Sequence, residues 1–248
     1  MDDYEPVMSF GEEDAQVYLD LERGDEAAAV AFLESVAGGG PALELAIGTG
    51  RIALPLAARG IRVDGIDFSE AMVAKLRERP GGNALSVAIG NYADVAVEDD
   101  YRLVYIVYNT IYNLLTQDEQ VRCFQNVAAH LSEGGCFVLE AVTPNSLMHL
   151  RDHQYVAAEA VGVDHVRLDV ARHDPVTQRL DETHVSITAQ GVRLAPIVIR
   201  YIWPSEMDLM ARIAGLTLKE RWGGWSGEPF TADSRLHVSV YARTAPTI

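Results

Sequence analysis

Between residues 42 and 142, short apolar runs alternate with glycine-marked turns and helical stretches. This alternation limits the fold more than any other feature of the chain. The runs 42–47, 62–67, 84–89, 101–108 and 136–142 read as strands, and the stretches 51–59, 69–79 and 116–131 read as helices. Ser69 stands at an N-cap position, and Thr116 with Glu119 has the spacing of a capping box. The run 101–108 is nearly all apolar, as a strand buried on both faces requires. Strand, helix and strand in repetition predict a parallel sheet with helices on both faces and right-handed crossovers.

The flanks behave differently. Residues 12–36 read as helical, with Val17, Leu21, Ala28, Phe32 and Val36 spaced for one face, and Gly38-Gly39-Gly40-Pro41 ends them. Beyond residue 142 the pattern changes to successive short runs, 166–170, 183–188 and 197–203, divided by His173-Asp174-Pro175 and Gln190-Gly191. These predict an antiparallel set covering one end of the sheet. A helix over 205–214 with Ser205 as its N-cap follows, then closing strands at 216–222 and 236–243. The expected organisation is a single domain over 1–248. It comprises a helical arm (1–41), a core (42–143), an antiparallel insertion or cap (144–203) and a C-terminal helix with closing strands (204–248).

Charge narrows the function. Twenty basic residues against 36 acidic ones give a net charge of −16. Such a chain repels nucleic acid backbones and anionic membrane surfaces. Twelve of the acids fall within residues 1–50, against Arg23 alone, whereas residues 151–248 carry twelve acids and eleven bases. An acidic arm of this kind favours a cationic substrate. No run approaches the ~18 apolar residues of a membrane span. The N-terminus is acidic where a signal peptide is basic, so a cytoplasmic location is expected. Cys123 and Cys136 form neither a disulfide framework nor a metal-spaced pair, and no metal site is expected.

The first strand passes into a helix through Glu44-Leu45-Ala46-Ile47-Gly48-Thr49-Gly50-Arg51. Glycines here let the backbone approach a ligand and present amides to it. Gly48-x-Gly50-x-x-Ala53 followed by Asp67, at the end of the next strand, fits a nicotinamide enzyme and a nucleoside-binding transferase alike. Three neighbours favour the transferase. Glu44 puts a carboxylate where a pyrophosphate gains nothing but a cationic amino acid does. Asn91-Tyr92 follows the third strand, where an adenine can be held, and Asn109 ends the fourth.

Together with Gly65-Ile66-Asp67-Phe68-Ser69-Glu70-Ala71-Met72, the exit Asn109–Thr116 and the stretch Arg200–Glu206, these residues resemble the class I S-adenosylmethionine-dependent methyltransferases. The likeness is to their small-molecule branch, which includes aminosugar and natural-product enzymes. The resemblance implies a Rossmann-like sheet with helices on both faces and an antiparallel β insertion after the fifth strand. It implies S-adenosyl-L-methionine as cofactor and S-adenosyl-L-homocysteine as product. Asp67 would then bond the ribose hydroxyls, Phe68 and Met72 would flank adenine or ribose, and Asn91 and Tyr92 would meet the adenine. Ala46, Gly48 and Asn109 would line the methionine end beside the Gly50 turn, and Glu44 would support the α-amino group. Two positions depart from the family pattern: Ala46 replaces a usual glycine and Asn91 a usual aspartate.

Methyl transfer from a sulfonium needs alignment and exclusion of water more than one fixed catalytic group. His149 and His153, four apart, are candidate bases if that stretch is helical; Tyr18, Tyr112 and Tyr201 are candidate substrate walls. The Trp222–Trp225 turn is a candidate border, and His165 and His173 are expected at the surface. The expected partners are a small-molecule acceptor, taking methyl on nitrogen or oxygen, and a second copy of the chain. Nicotinamide oxidoreduction and cofactor binding without methyl transfer are the alternative readings.

Overall fold

The computed structural model describes residues 1, 3–12, 15–16, 23–94 and 97–243. Helix α1 (Glu26–Ala37) leads into β1 (Ala42–Leu45), α2 (Ala53–Ala58), β2 (Val63–Asp67), α3 (Glu70–Glu78), β3 (Ser86–Ile89), β4 (Tyr101–Ile106), α4 (Gln117–His130) and β5 (Leu131–Val142). After an insertion come α5 (Pro204–Ile213), β10 (Leu216–Trp222) and β11 (Leu236–Arg243). Among the described residues, seven strands form one sheet in the order β10-β11-β5-β4-β1-β2-β3. Its β3-β2-β1-β4-β5 part is parallel, and β11 runs antiparallel to both neighbours.

Strand alternation divides the core between the two faces of this sheet. Val104 and Ile106 of β4 join Phe124, Val127, Met207 and Met210 of α4 and α5 on one face. Leu103 and Tyr105 join Val30 and Leu33 of α1 and Leu56 of α2 on the other. The α4 N-terminus carries the full capping box: Thr116 Oγ1 accepts from Glu119 N, and Glu119 returns a carboxylate to the Thr116 backbone N–H.

The insertion is a separate antiparallel sheet, β6 (Gln154–Val161), β7 (His165–Asp174), β8 (Arg179–Thr188) and β9 (Gly191–Arg200), in that order. A buried polar knot fastens it to the core. Arg200, at the end of β9, donates to Gln120 Oε1 on α4, to Gln178 Oε1 at 3.2 Å and to Glu206 Oε1 on α5 at 2.8 Å.

Several local expectations need correction. The apolar stripe on α1 is Ala29, Val30, Leu33 and Ala37, one residue round from the predicted face, with Ala28, Phe32 and Val36 half-buried at its edge. Val17 and Leu21 lie outside the described residues. Helix α4 stops at His130, before Gly134-Gly135, because Leu131 is extended and pairs with Tyr101. Helix α5 is capped at Trp203 with Pro204 in its first turn, so Ser205 lies inside it. Strands β7, β8 and β9 are each longer than predicted, and β6 was not anticipated. The stretch 144–153 is two 3-10 turns parted by extended backbone at Leu150, with left-handed backbone at Asp152 (φ 53°) and His153 (φ 56°) in the second, so His149 and His153 share no helical face. His173 is buried rather than at the surface, with Nε2 3.1 Å from the Tyr201 hydroxyl. Trp225 packs edge-on against Phe32 in the core beside α1.

Candidate active site

The cavity sits where open α/β sheets bind ligands, beyond the carboxyl ends of the strands. It measures about 300 Å³. Its lower wall comes from the ends of β1, β2 and β4 with their following loops: Glu44, Gly48, Asp67, Phe68, Tyr108 and Asn109. Glu182, His184, Ile197 and Ile199 of the insertion face it from the other side.

The glycine loop is left-handed at Ala46 (φ 54°), Gly48 (φ 54°) and Gly50 (φ 75°). A Cβ at Gly50 would come within 2.3 Å of Leu76 Cδ1, so glycine is needed there for space as well as for backbone angle. Ala46 has the same φ without glycine's freedom. For an L-residue this costs ~1–2 kcal/mol, which exceeds the ~0.5–1 kcal/mol entropic cost of glycine. Ala46→Gly is therefore expected to stabilise the protein by roughly 0.5–1 kcal/mol in urea denaturation; a destabilised variant would show that the methyl group's packing outweighs the backbone strain.

Asp67 closes the loop. One carboxylate oxygen accepts from Gly48 N at 2.7 Å, and the other accepts from Ser69 N at 2.8 Å. Burial raises its pKa, and these two amides oppose the rise. Each oxygen keeps a lone pair for a further donor. Glu44 is buried and accepts from the Tyr105 hydroxyl at 3.0 Å, its register partner on β4. Burial pushes the Glu44 pKa up to about 8, against the pull of Tyr105 and Arg51.

The β4 exit is unusual. Tyr108 (φ 60°) and Asn109 (φ 58°) are consecutive left-handed residues without glycine, and such backbone persists only where the surroundings enforce it. Glu140 Oε2 accepts from Tyr108 N at 2.7 Å, the Arg23 guanidinium lies 3.6 Å from the Tyr108 ring centre, and Asn109 Oδ1 accepts from Val142 N. Phe10 of the N-terminal arm meets Phe68 edge-on at 5.6 Å, and its carbonyl accepts from Ser69 Oγ.

Of the anticipated residues, the cavity brings together Glu44, Ala46, Gly48, Asp67, Phe68, Met72, Tyr92 and Asn109. Gly50 shapes the turn behind them. Asn91 Oδ1 accepts from Ala93 N at 2.9 Å and does not line the cavity. Tyr112 is buried, donating to Val142 O and Ile202 O, and Tyr201 is buried against His173; neither lines the cavity. His153 is exposed outside the cavity, with its ring 5.9 Å from that of His173. His149 ends the first 3-10 turn, and Tyr18 lies outside the described residues.

Glu182 and His184 were missed. The Tyr155 hydroxyl donates to Glu182 Oε1 at 2.9 Å, and His184 Nδ1 lies 2.6 Å from Asp169 Oδ1. Glu159 completes a cluster with Asp169 and His184, with one oxygen of each carboxylate and a ring nitrogen all within 4.8 Å of one another. Burial holds the Glu182 carboxyl above its ordinary range, and Asp169 and Glu159 add to the rise. The sequence did carry a signal. Leu180, Glu182 and His184 alternate on one strand face, but starting the strand at residue 183 left Glu182 in the turn.

Comparison with known proteins fits this geometry. A family model described as a methyltransferase domain matches residues 42–135. The CcbJ methyltransferase from Streptomyces caelestis is 36% identical, with a TM-score of 0.91 over 98% of this chain and 100% of that one. The chain belongs to the S-adenosylmethionine-dependent methyltransferases. Cypemycin N-terminal methyltransferase from a Streptomyces species is 26% identical over 203 residues, covering 81% of this chain and 82% of that one. CalS10 from Micromonospora echinaspora, an amino pentose methyltransferase with S-adenosylmethionine bound, shares the fold at 21% identity and a TM-score of 0.69, covering 95% and 98%. As a methyltransferase, the chain fits its cofactor: the left-handed cradle, the Asp67 carboxylate and the apolar flank of Phe68 and Met72 converge on one cavity. Among the described residues no helix is long and apolar enough to cross a membrane.

Proposed function

We propose that this methyltransferase acts on the nitrogen of a small-molecule amine, held as a cation between the cofactor sheet and the insertion. The observation that carries this reading is the carboxylate of Glu182 lining the cavity, with Asp169 and Glu159 behind it on the same sheet. An ammonium ion offsets the strain of these neighbouring carboxylates, whereas a neutral hydroxyl does not. Relatives named as an N-terminal methyltransferase and an amino pentose methyltransferase are in keeping with an amine acceptor.

S-adenosylmethionine, when bound, would supply an electrophilic methyl group and a neutral thioether as leaving group. The protein's part is placement. Asp67 holds the ribose, Phe68, Met72 and Tyr92 enclose the nucleoside, and Ala46, Gly48 and Asn109 line the methionine end beside Glu44. Asn91 shapes the turn that presents Tyr92. Ile197 and Ile199 exclude water from the acceptor side.

The test is labelled methyl transfer from S-adenosylmethionine to paired probes, each an amine and the alcohol of the same carbon skeleton. Transfer to the amines is expected. Glu182→Gln should raise KM for an alkylamine by about 10–100-fold, the worth of a charge-assisted hydrogen bond, with cofactor affinity kept. Transfer to the alcohols alone would overturn the reading.

A further inference from the structure

The insertion carries a histidine that has no part in placing the cofactor. On β8, His184 is paired across the sheet with Asp169 of β7 on one side and Ala195 of β9 on the other. Its Nδ1 is 2.6 Å from Asp169 Oδ1, and the side chain lines the cavity two residues beyond Glu182. A carboxylate on one imidazole nitrogen places that nitrogen's proton and leaves the other nitrogen as an acceptor. Asp169 is itself largely covered, its side chain 18% exposed, so it is a fixed orienting group.

An amine bound as its ammonium ion has no lone pair to offer. Its proton must leave before nitrogen can take a methyl group. We propose that the Asp169–His184 pair removes it: His184 Nε2 accepts one proton from the substrate ammonium, giving the neutral amine and an imidazolium stabilised by Asp169. The methylated product keeps the positive charge delivered with the methyl group, and His184 returns its proton to solvent. This inference rests on the amine reading above. Among the described residues, His184 is the one histidine on the cavity wall.

The groups around it are set for this task. Glu182 on β8, Asp169 on β7 and Glu159 on β6 are the acidic groups beside it. Arg167 on β7 is engaged by Glu159, and Arg193 lies further along β9, opposite Ser186. Glu44, Asp67, Arg51 and Tyr108 face the same cavity from the cofactor side. An acidic ring around a dyad holds an ammonium ion and its departing proton in one place.

Two measurements test the proposal. The first needs no substrate: ¹⁵N spectra of the imidazole rings, with S-adenosylhomocysteine bound and the ring neutral, should show His184 with its proton on Nδ1. Asp169→Asn should disturb that assignment. The second compares His184→Gln with the wild type on a basic alkylamine and on a weakly basic aromatic amine that is neutral at pH 7. At pH 7 the variant should lose about 100-fold or more in kcat on the alkylamine and less than about tenfold on the aromatic amine. The alkylamine rate should recover as pH rises toward the amine's own pKa, with S-adenosylhomocysteine affinity unchanged throughout. A proton on Nε2, an equal loss on both amines, or a loss that ignores pH would overturn the dyad while leaving the amine reading intact. A wild-type enzyme that turns over alcohols and no amine would overturn both.

Discussion

Replacing Asp67 by alanine is expected to raise the dissociation constant for S-adenosylhomocysteine by about 100-fold or more. Hydrogen bonds to a charged group contribute ~1.5–3 kcal/mol each, and tenfold in affinity is about 1.4 kcal/mol. On the proposed reading the carboxylate takes two ribose hydroxyls, and in the structure it ties Gly48 N and Ser69 N. Removing it therefore takes away the ligand contacts and loosens the left-handed loop that presents them. Asp67→Asn separates the two parts, because one amide oxygen can keep a loop contact while the charge is lost; its affinity should fall between those of wild type and alanine. Calorimetry checks both. An alanine variant that binds as tightly as wild type would remove Asp67 from the cofactor site.

Glu44→Gln is expected to move stability and affinity in opposite directions. Burial pushes the folded-state pKa of Glu44 to about 8 from a reference of 4.5. A raised carboxyl pKa means the folded protein holds a proton that the unfolded chain releases. The contribution to stability is thus complete below about pH 4.5 and is lost as pH rises toward 8. Glutamine cannot ionise and can still accept from Tyr105. At pH 8 the variant should be more stable than wild type by roughly 2–4 kcal/mol without cofactor, with little difference near pH 4.5. The methionine ammonium would draw Glu44 into its ionised form, so binding at pH 7 should release up to one proton. That release appears as a dependence of the binding heat on the buffer's ionisation heat. In the glutamine variant the release should vanish and affinity should fall about tenfold or more. Proton release retained in the variant would assign it to another group.

The cofactor half was legible from the sequence for a physical reason. Parallel strands buried on both faces are continuous apolar runs, and a loop that approaches a ligand with left-handed backbone is marked by Gly48 and Gly50. Those signals are local. Asp67 also announces itself, as a carboxylate ending a buried strand. The acceptor half is not local. Glu182 and His184 acquire meaning only from strand register, which sets them beside Tyr155 and Asp169 and turns them toward the cavity. A count of charges conceals this, because residues 151–248 are nearly neutral as a whole. The acidic arm, by contrast, spends part of its charge on structure: Glu26 pairs with Arg51 and Glu34 with Arg59. On the proposed reading, a cation would be drawn by the insertion as well as by the arm.

Tyr112 and Tyr201 show the complementary error. Both are aromatic residues at transitions between elements, where a substrate wall and a structural anchor look the same in sequence. The Tyr112 hydroxyl donates to Val142 O in the core and to Ile202 O where the insertion returns, and the Tyr201 hydroxyl meets His173 within the insertion. The histidines at 149 and 153 have helical spacing, and that spacing means nothing where the backbone turns left-handed at Asp152.

One cavity joins the strand ends of the large sheet to the acidic face of the insertion. A crystal structure with S-adenosylhomocysteine bound is the decisive measurement. Ribose hydroxyls are expected on Asp67, and the thioether sulfur is expected to open toward Glu182 and His184 with space for an amine nitrogen between them. A sulfur walled off from β8 by the β4 exit, and facing another opening, would contradict it.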